Sequence, residues 1–287
     1  NFNVNPGSRV HVSQVLITGN DSTDDTVIRR ELRQMDGSWL SSEAIEVSKT
    51  RLNRTGYFET VDVTTENVGA TDDTVSVNTK VKERPTGSIS GGIGIGTDSG
   101  LTIQASISQN NLFGWGTRAN ITSYENDYRK HMEIGYTDPY FTVDNVSLGG
   151  RLYLDKYDGD DDEDVVDYTN HTCGATFNLG YPISETWFVN YNLGIEKSKI
   201  KNNGTRFEQS DVFFNMYSKD PTRSVNFLDY KLGFDITHNS LDKGVFPTSG
   251  NKQTVSLTAT TPNSDMHYYK ATAETYHYFP IDLYHEY

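Results

Sequence analysis

From Gly87 onward, segments of about ten residues alternate apolar and polar side chains, again and again, with no convincing long helix between them. Residues 101–108 are the clearest: Leu101, Ile103, Ala105 and Ile107 alternate with Thr102, Gln104, Ser106 and Ser108. The period of two predicts strands with one apolar face. The candidates are residues 87–96, 100–110, 117–125, 131–138, 145–156, 168–181, 186–197, 228–239, 251–261 and 267–278. A soluble sandwich also has one apolar face per strand. Here the opposite faces carry Asn, Asp, Gly and Thr, and aromatics such as Tyr136, Tyr181, Trp187, Tyr269 and Tyr276 gather at strand ends. Strands of 10–12 residues exceed the usual soluble length and suit a tilted membrane span. The pattern predicts an antiparallel transmembrane β-barrel with an apolar outer face, a polar lumen and aromatic girdles.

The connections are of two kinds. One set is short and contains proline: Asp138-Pro139-Tyr140-Phe141, Tyr181-Pro182-Ile183, Phe246-Pro247-Thr248-Ser249-Gly250 and Phe279-Pro280-Ile281. The other set holds the long polar pieces, residues 157–167 and 198–227. Outer-membrane barrels have short periplasmic turns and longer outside loops. The proline turns, and the N-terminal region with them, are therefore expected in the periplasm.

Residues 1–86 differ in kind. They hold only four of the 34 aromatic residues, and a net charge of −3 against −11 for the remainder. The shift falls at Lys82-Glu83-Arg84-Pro85. Residues 9–18 alternate as a strand, and residues 21–25 supply helix-capping side chains ahead of an apolar stripe at Val27, Ile28 and Leu32 that Gly37 ends. A second helix is expected from Ser41 or Ser42 to Gly56. Strands follow around Phe58, Val61 and Val63 and around Val75, Val77 and Val81. The order β-α-α-β-β over residues 9–86 predicts a small α+β domain with a marginal core of its own. Arg29, Arg30 and Arg33 read either as a solvated helix face or as a docking surface. An open sheet edge in this domain is a second possible docking surface.

The net charge of −14 shows no basic face for nucleic acid. No run approaches the ~18 apolar residues of a spanning helix. The single Cys173 excludes an internal disulfide and a multi-cysteine metal site. The acidic residues 157–168 do not keep calcium-loop spacing, since Glu163 stands where glycine belongs. They are expected to form a solvated loop. Gly91-Gly92-Ile93-Gly94-Ile95-Gly96 lacks phosphate-loop and dinucleotide spacing and reads as a weak, deformable strand. No base, nucleophile and stabiliser set is visible, so no enzyme, cofactor or metal is expected.

Several motifs together resemble the BamA family of outer-membrane protein assembly factors. Ile17-Thr18-Gly19-Asn20, the run from Val27 to Gly37 (VIRRELRQMDG), the run from Arg51 to Val61 (RLNRTGYFETV) and Val81-Lys82-Glu83-Arg84 are similar to the family's last POTRA domain. Gly92-Ile93-Gly94-Ile95-Gly96-Thr97 is similar to its first barrel strand. Asp138-Pro139-Tyr140-Phe141-Thr142 and the turn with Phe246, Pro247, Thr248 and Gly250 are similar to its periplasmic turns, and residues 1–8 to the tail of a preceding POTRA domain. About ten of the family's sixteen strands fit, over residues 87–287, so the sequence reads as a segment cut at both ends.

The resemblance implies insertion of unfolded outer-membrane proteins into the bacterial outer membrane, without nucleotide or metal. The route is a lateral seam at the first strand: Gly87, Ile89, Gly91, Gly92, Ile93, Gly94, Ile95 and Gly96. Outer-membrane lipids surround the barrel. The resemblance also implies contact between Asp36 and the lipoprotein BamD, among other assembly-machine subunits; on the docking-surface reading of the helix face, Arg29 and Arg33 join Asp36 as partner-binding residues. The alternative is the pore of a two-partner secretion transporter, which joins POTRA domains to a similar barrel.

Overall fold

The computed structural model describes residues 9–68, 73–97, 100–159, 168–202, 208–218, 224–242 and 247–280. The N-terminal domain runs β1 (His11–Thr18), α1 (Asp25–Arg29), α2 (Ser42–Thr55), β2 (Phe58–Asn67) and β3 (Thr74–Glu83). Its sheet has the order β1-β3-β2, with β1 parallel to β3 and β2 antiparallel to it. One cluster fills the space between helices and sheet: Val12 and Val15 from β1, Val27, Ile28 and Leu32 from the α1 region, Leu52 from α2, and Phe58, Val61, Val75, Val77 and Val81 from the other strands. Ser48, buried in α2, accepts from the Arg33 amide at 2.7 Å and donates to the Ala44 carbonyl at 2.6 Å, so its hydroxyl ties the two helical segments without an unpaired polar group.

The first helix is shorter than its apolar stripe suggests. It stops at Arg29 rather than near Gly37. The buried side chain of Gln34 explains the exit: it donates to Ser38 Oγ and the Trp39 carbonyl and accepts from the Ser41 amide. A loop held this way lies along β1, whose Val12 amide and carbonyl pair with Ser38 and Gly37. The Asp36 carboxylate then accepts from the Val15 amide. The β1 edge is thus covered, and β2 is the uncovered edge of this sheet among the described residues.

The rest of the chain forms one antiparallel ten-stranded sheet in sequence order: β4 (Gly87–Gly96), β5 (Gly100–Leu112), β6 (Thr117–Glu125), β7 (Arg129–Asp138), β8 (Ser147–Asp158), β9 (Tyr168–Pro182), β10 (Trp187–Asn202), β11 (Ser224–Asn239), β12 (Gly250–Thr260) and β13 (Tyr269–Tyr278). Apolar side chains such as Met132, Ile134, Leu152, Leu154, Leu193 and Ile195 stand exposed on one face. The other face lines a polar hollow with Arg129, His131, Glu133, Arg151, Tyr153, Asp155, Asn192, Glu196 and Lys231. These polar groups pair across strands. Asp155 takes both Arg129 at 2.9 Å and His131 at 3.0 Å, Glu133 takes Arg151 at 3.3 Å, and Glu196 takes Lys231 at 2.7 Å and Tyr153. An apolar exterior around a satisfied polar interior inverts a soluble core and is the arrangement of a membrane barrel wall.

Two expectations about the loops change. Residues 198–227 are not one polar loop: β10 continues to Asn202 and β11 begins at Ser224, paired as far as Lys201↔Ser224. Between them lies α3 (Glu208–Tyr217). Its Phe213 and Phe214 pack on Ile200, Val225 and Phe227, which face the hollow, so the helix sits inside the mouth. Hydrophobic contact across the strand extension outweighs the polar lysines and asparagines that made the segment read as loop. The expected acidic loop falls largely on residues 160–167, which lie outside the described residues.

The small domain has its own core and caps, so residues 9–86 are expected to fold alone. Circular dichroism of that piece without detergent should show a cooperative melt, and Leu52→Ala should lower its stability by about 2–5 kcal/mol. A non-cooperative melt would show that the core needs the barrel.

Candidate functional site

Two features concentrate the unusual chemistry: the edge strand β4 and the junction beside it. β4 pairs with β5 alone, and its other edge meets no strand among the described residues. Five of its ten register positions are glycine: Gly87, Gly91, Gly92, Gly94 and Gly96. Ile89, Ile93 and Ile95 lie on the apolar face opposite Ile107, Ile103 and Leu101, and remain 84%, 78% and 88% exposed. On the polar face the cross-strand contacts are two hydroxyl pairs, Ser88–Ser108 at 2.7 Å and Ser90–Ser106 at 2.8 Å. No ion pair joins β4 to β5 among the described residues, in contrast to the wall from β7 to β11. Cross-strand pairs each contribute roughly 0.2–1 kcal/mol, so half of this interface lacks its side-chain share. The ladder is held mainly by backbone hydrogen bonds.

Every second barrel turn meets the N-terminal domain. The β5–β6 turn, residues 111–116, enters it most deeply. Asn111 donates to Thr23 Oγ1 at 2.8 Å and accepts from the Gly116 amide at 2.7 Å. Tyr57 donates its hydroxyl to the Gly116 carbonyl at 3.1 Å, and the Asp24 amide donates to the Gly114 carbonyl at 3.0 Å. Gly114 and Gly116 have φ of 80° and 73°. A Cβ at Gly114 would stand 2.0 Å from the Ser22 carbonyl oxygen, and one at Gly116 2.0 Å from Arg30 Nη2. The close backbone approach requires glycine at Gly114, and the positive φ favours it at both. Glu83, at the end of β3, accepts from the Ser22 and Thr23 amides at 3.0 and 2.7 Å. Burial raises its pKa, but these hydrogen bonds outweigh burial and leave it below the ordinary glutamate value.

The β7–β8 and β9–β10 turns bring Tyr140 and Glu185 to a cluster of arginines. Arg51 bonds Glu31 at 2.9 Å, Glu185 at 2.5 Å and the Tyr140 hydroxyl at 2.7 Å. Arg33 reaches Glu185 at 3.0 Å, and Arg30 stacks over the Tyr140 ring at 4.2 Å. Burial opposes the Arg51 charge, yet Glu31, Tyr140 and Glu185 raise its pKa above the ordinary arginine value. Burial and then Glu31 push Tyr140 up to about 12, so the phenol stays neutral. Burial also works against the Glu185 carboxylate, but Arg33 and Arg51 hold its pKa below the usual value. In the β11–β12 turn, Arg54 donates to the Leu241 carbonyl at 3.1 Å. Asp242 in that turn accepts from the Thr248 and Ser249 amides. Pro247, Thr248 and Gly250 lie in this turn or at its strand junction; Phe246 lies outside the described residues.

The three arginines are therefore not one solvated face. Arg30 and Arg33 turn into the junction, whereas Arg29 stays exposed, bonded to Asp25 at 3.3 Å and Asp36 at 3.4 Å. Asp36 and Arg29 stand together; Arg33 points elsewhere. The sequence reading missed Asn111, Gly114, Gly116, Arg51 and Glu185. The one local signal was Gly114-Trp115-Gly116 between two alternating runs.

A family profile of the Omp85 superfamily domain matches residues 111–286, more than half of the chain. The chain belongs to the Omp85 superfamily. A second profile, POTRA, described as a surface antigen variable number repeat, matches residues 10–84. The chain is 32% identical over 283 residues to the outer membrane protein assembly factor BamA of Neisseria meningitidis, covering 98% of this chain and 36% of that protein. It is 33% identical over 204 residues to BamA of Buchnera aphidicola, covering 70% of this chain and 33% of that protein. The crystal structure of BamA from Haemophilus ducreyi lacking POTRA domains 1–3 superposes with a TM-score of 0.72 at 36% identity, over 94% of this chain and 52% of that one. CdiB from Acinetobacter baumannii shares the fold, with a TM-score of 0.58 at 13% identity, over 93% of this chain and 48% of that one. This Omp85 chain thus spans about a third of the length of the curated relatives it matches. A POTRA domain followed by part of an Omp85 barrel wall accounts for both of its sheets.

Two outcomes test the junction. Arg51→Ala strands Glu31, only 10% exposed, without its partner, and should destabilise the docked domain by about 3–5 kcal/mol. Gly116→Ala combines strain of about 1–3 kcal/mol with the Arg30 clash. Hydrogen exchange at residues 111–116 should quicken in both, and unchanged protection would reject the docking role. Glu83 and Glu185 have lowered pKa values, so their stabilisation is complete above the ordinary glutamate value and is lost as pH falls through their depressed values in the folded protein. Exchange at the junction should rise with acidification through that range, and less so in Glu185→Gln.

Proposed function

We propose that this Omp85 chain is part of an assembly factor that inserts β-barrel proteins into the bacterial outer membrane. Its POTRA domain, residues 9–86, lies in the periplasm; residues 87–287 supply barrel strands one to ten; and residues 1–8, outside the described residues, are the tail of a preceding POTRA domain. One observation carries the reading: β4, the first barrel strand, is half glycine and has few side-chain pairs to β5, so its ladder opens at less cost than those of the laced wall. A strand edge freed in this way must find a partner in hydrocarbon and is a template for an incoming strand. The seam residues are Gly87, Ile89, Gly91, Gly92, Ile93, Gly94, Ile95 and Gly96. Insertion then needs neither nucleotide nor metal, because strand pairing and burial of the apolar face drive it.

Orientation is supported by the turns at 113–116, 139–146 and 183–186 and by Leu241 of the β11–β12 turn, all of which abut the POTRA domain, while the long connections leave the opposite end. Phe246, Pro247, Thr248 and Gly250 then mark a periplasmic turn. The proposed partners are unfolded outer-membrane proteins, outer-membrane lipids, the lipoprotein BamD and other subunits of the machine. The BamD surface centres on Asp36 and Arg29, which remain accessible, with Arg33 at its margin. The secretion-pore alternative is supported only by the fold likeness to CdiB.

A disulfide between β4 and the last strand of the complete protein, in a Cys173→Ser background, is expected to stop growth and substrate insertion, and reduction to restore both. Insertion at the normal rate by locked protein would reject the seam as the route. Asp36→Lys is expected to lose co-purification of the lipoprotein by tenfold or more while the barrel stays folded; wild-type stoichiometry would reject that surface.

A further inference from the structure

The apolar face of the barrel wall ends in a row of basic side chains. Lys130 of β7 stands directly opposite Lys156 of β8, Lys156 opposite His171 of β9, and His171 opposite Lys199 of β10. Lys197 and Lys201 flank Lys199 on the same face, two residues away on either side. These positions alternate with the groups that line the hollow, so they share the outer face with Met132, Leu154 and Ile195. All lie at the strand ends remote from the POTRA domain. Met132, Leu154, Cys173 and Lys197 form the next rank, and below it the outer face is apolar, with Ile134, Leu152, Ala175 and Ile195 in the rank after. From Cys173 down to Tyr181 is about 26 Å along the strand, or ~20 Å of depth at the usual tilt, close to the height of an apolar belt.

Like charges directly opposite each other destabilise a sheet. Lys130 is offset by Glu125, and Lys156 by Asp158 at 3.1 Å. Lys197, Lys199 and Lys201 have no such partner among the described residues. Their neighbours across the ladder are Cys173, His171 and Thr169 on one side and Leu228, Asn226 and Ser224 on the other, none acidic. Lysine stems lie readily along apolar surface while the ammonium reaches the interface. The result is a cationic patch ~15 Å wide and ~13 Å tall directly above a surface for acyl chains.

We infer that this row is a binding site for a lipid carrying phosphate groups on its headgroup, in the leaflet remote from the periplasm. The phosphates meet the β10 lysines and the chains lie on the apolar ranks below. The inference rests on the membrane orientation proposed above. An unpaired lysine near an anionic membrane surface contributes about 1 kcal/mol, roughly fivefold in retention.

The test uses the complete protein in detergent, with a hexa-acyl bisphosphorylated glucosamine disaccharide and zwitterionic phosphatidylethanolamine as probes, and native mass spectrometry as the readout. The triple variant Lys197→Gln, Lys199→Gln, Lys201→Gln should retain the bisphosphorylated lipid at least tenfold less than the parent. Phosphatidylethanolamine retention should not change. Heat-modifiable migration verifies folding, and Lys199→Gln alone, expected to lose about fivefold, serves if the triple variant does not fold. Equal retention by the folded variant overturns the site, as does full displacement by millimolar inorganic phosphate, which would mark a site for the free anion. Neutralising the acids of residues 160–164 should leave retention unchanged; a tenfold rise would show that this acidic segment occupies the row instead. In intact cells, Lys201→Cys in the Cys173→Ser background should react with an impermeant maleimide. Reaction only after permeabilisation overturns the orientation, whereas reaction with equal lipid retention overturns the lipid site alone.

Discussion

A backbone amide in hydrocarbon has no water to fall back on, and each unpaired one costs several kcal/mol. That constraint governs the barrel wall. It sets the strands side by side in sequence order, because consecutive antiparallel pairing satisfies the amides between neighbouring strands with the shortest connections. β4 is the least laced strand of the wall, since its glycines leave few side-chain pairs to β5. The POTRA domain obeys the opposite solvent. Its apolar groups turn inward, and its β1 edge is covered by residues 37–40 and the Asp36 carboxylate rather than by another strand.

The two regimes meet at the junction, where exposed charge becomes buried charge. Arg51 illustrates the balance. Its guanidinium is largely removed from water, which alone would disfavour the ion, yet Glu31 and Glu185 sit on either side of it. Glu31 belongs to the POTRA domain and Glu185 to the barrel, so the pair that stabilises the domain also attaches it. Tyr140 completes the arrangement as a neutral phenol between arginine and glutamate.

Much of the architecture was legible because period-two alternation is unambiguous when a strand faces two different media. β4 and β6 begin and end where the alternation does, and the other barrel strands agree to within a few residues except at one hairpin. That hairpin, β10–β11, rises beyond the apolar belt, where its lysines and asparagines resemble a loop. Its extension depends on Phe213 and Phe214 meeting Val225 and Phe227, and a tertiary contact leaves no local period. The junction was hidden for the same reason. Arg51 and Glu185 are 134 residues apart, and nothing near either names the other. The β5–β6 turn lacks the proline that marks its companions, so only its glycines hinted at a close approach. The glycine content of β4 marked it as a deformable strand, and its place at the seam rested on the family resemblance. The hydroxyl character of its pairing, Ser88–Ser108 and Ser90–Ser106, appears only with the register.

The lumen side of the wall is unevenly laced. From β7 to β11, charged and phenolic side chains bridge neighbouring strands and, through Tyr153 and Glu196, reach over an intervening one. Between β4 and β5 the side-chain hydrogen bonds among the described residues are paired serines. A wall built this way does not share deformation equally. Under lateral tension the laced panel moves as a plate, and the strain collects in the few strands at its glycine-rich margin. That margin is also where the covalent link from β3 enters, so a tilt of the periplasmic domain is delivered to the most compliant part of the cylinder rather than being averaged around it.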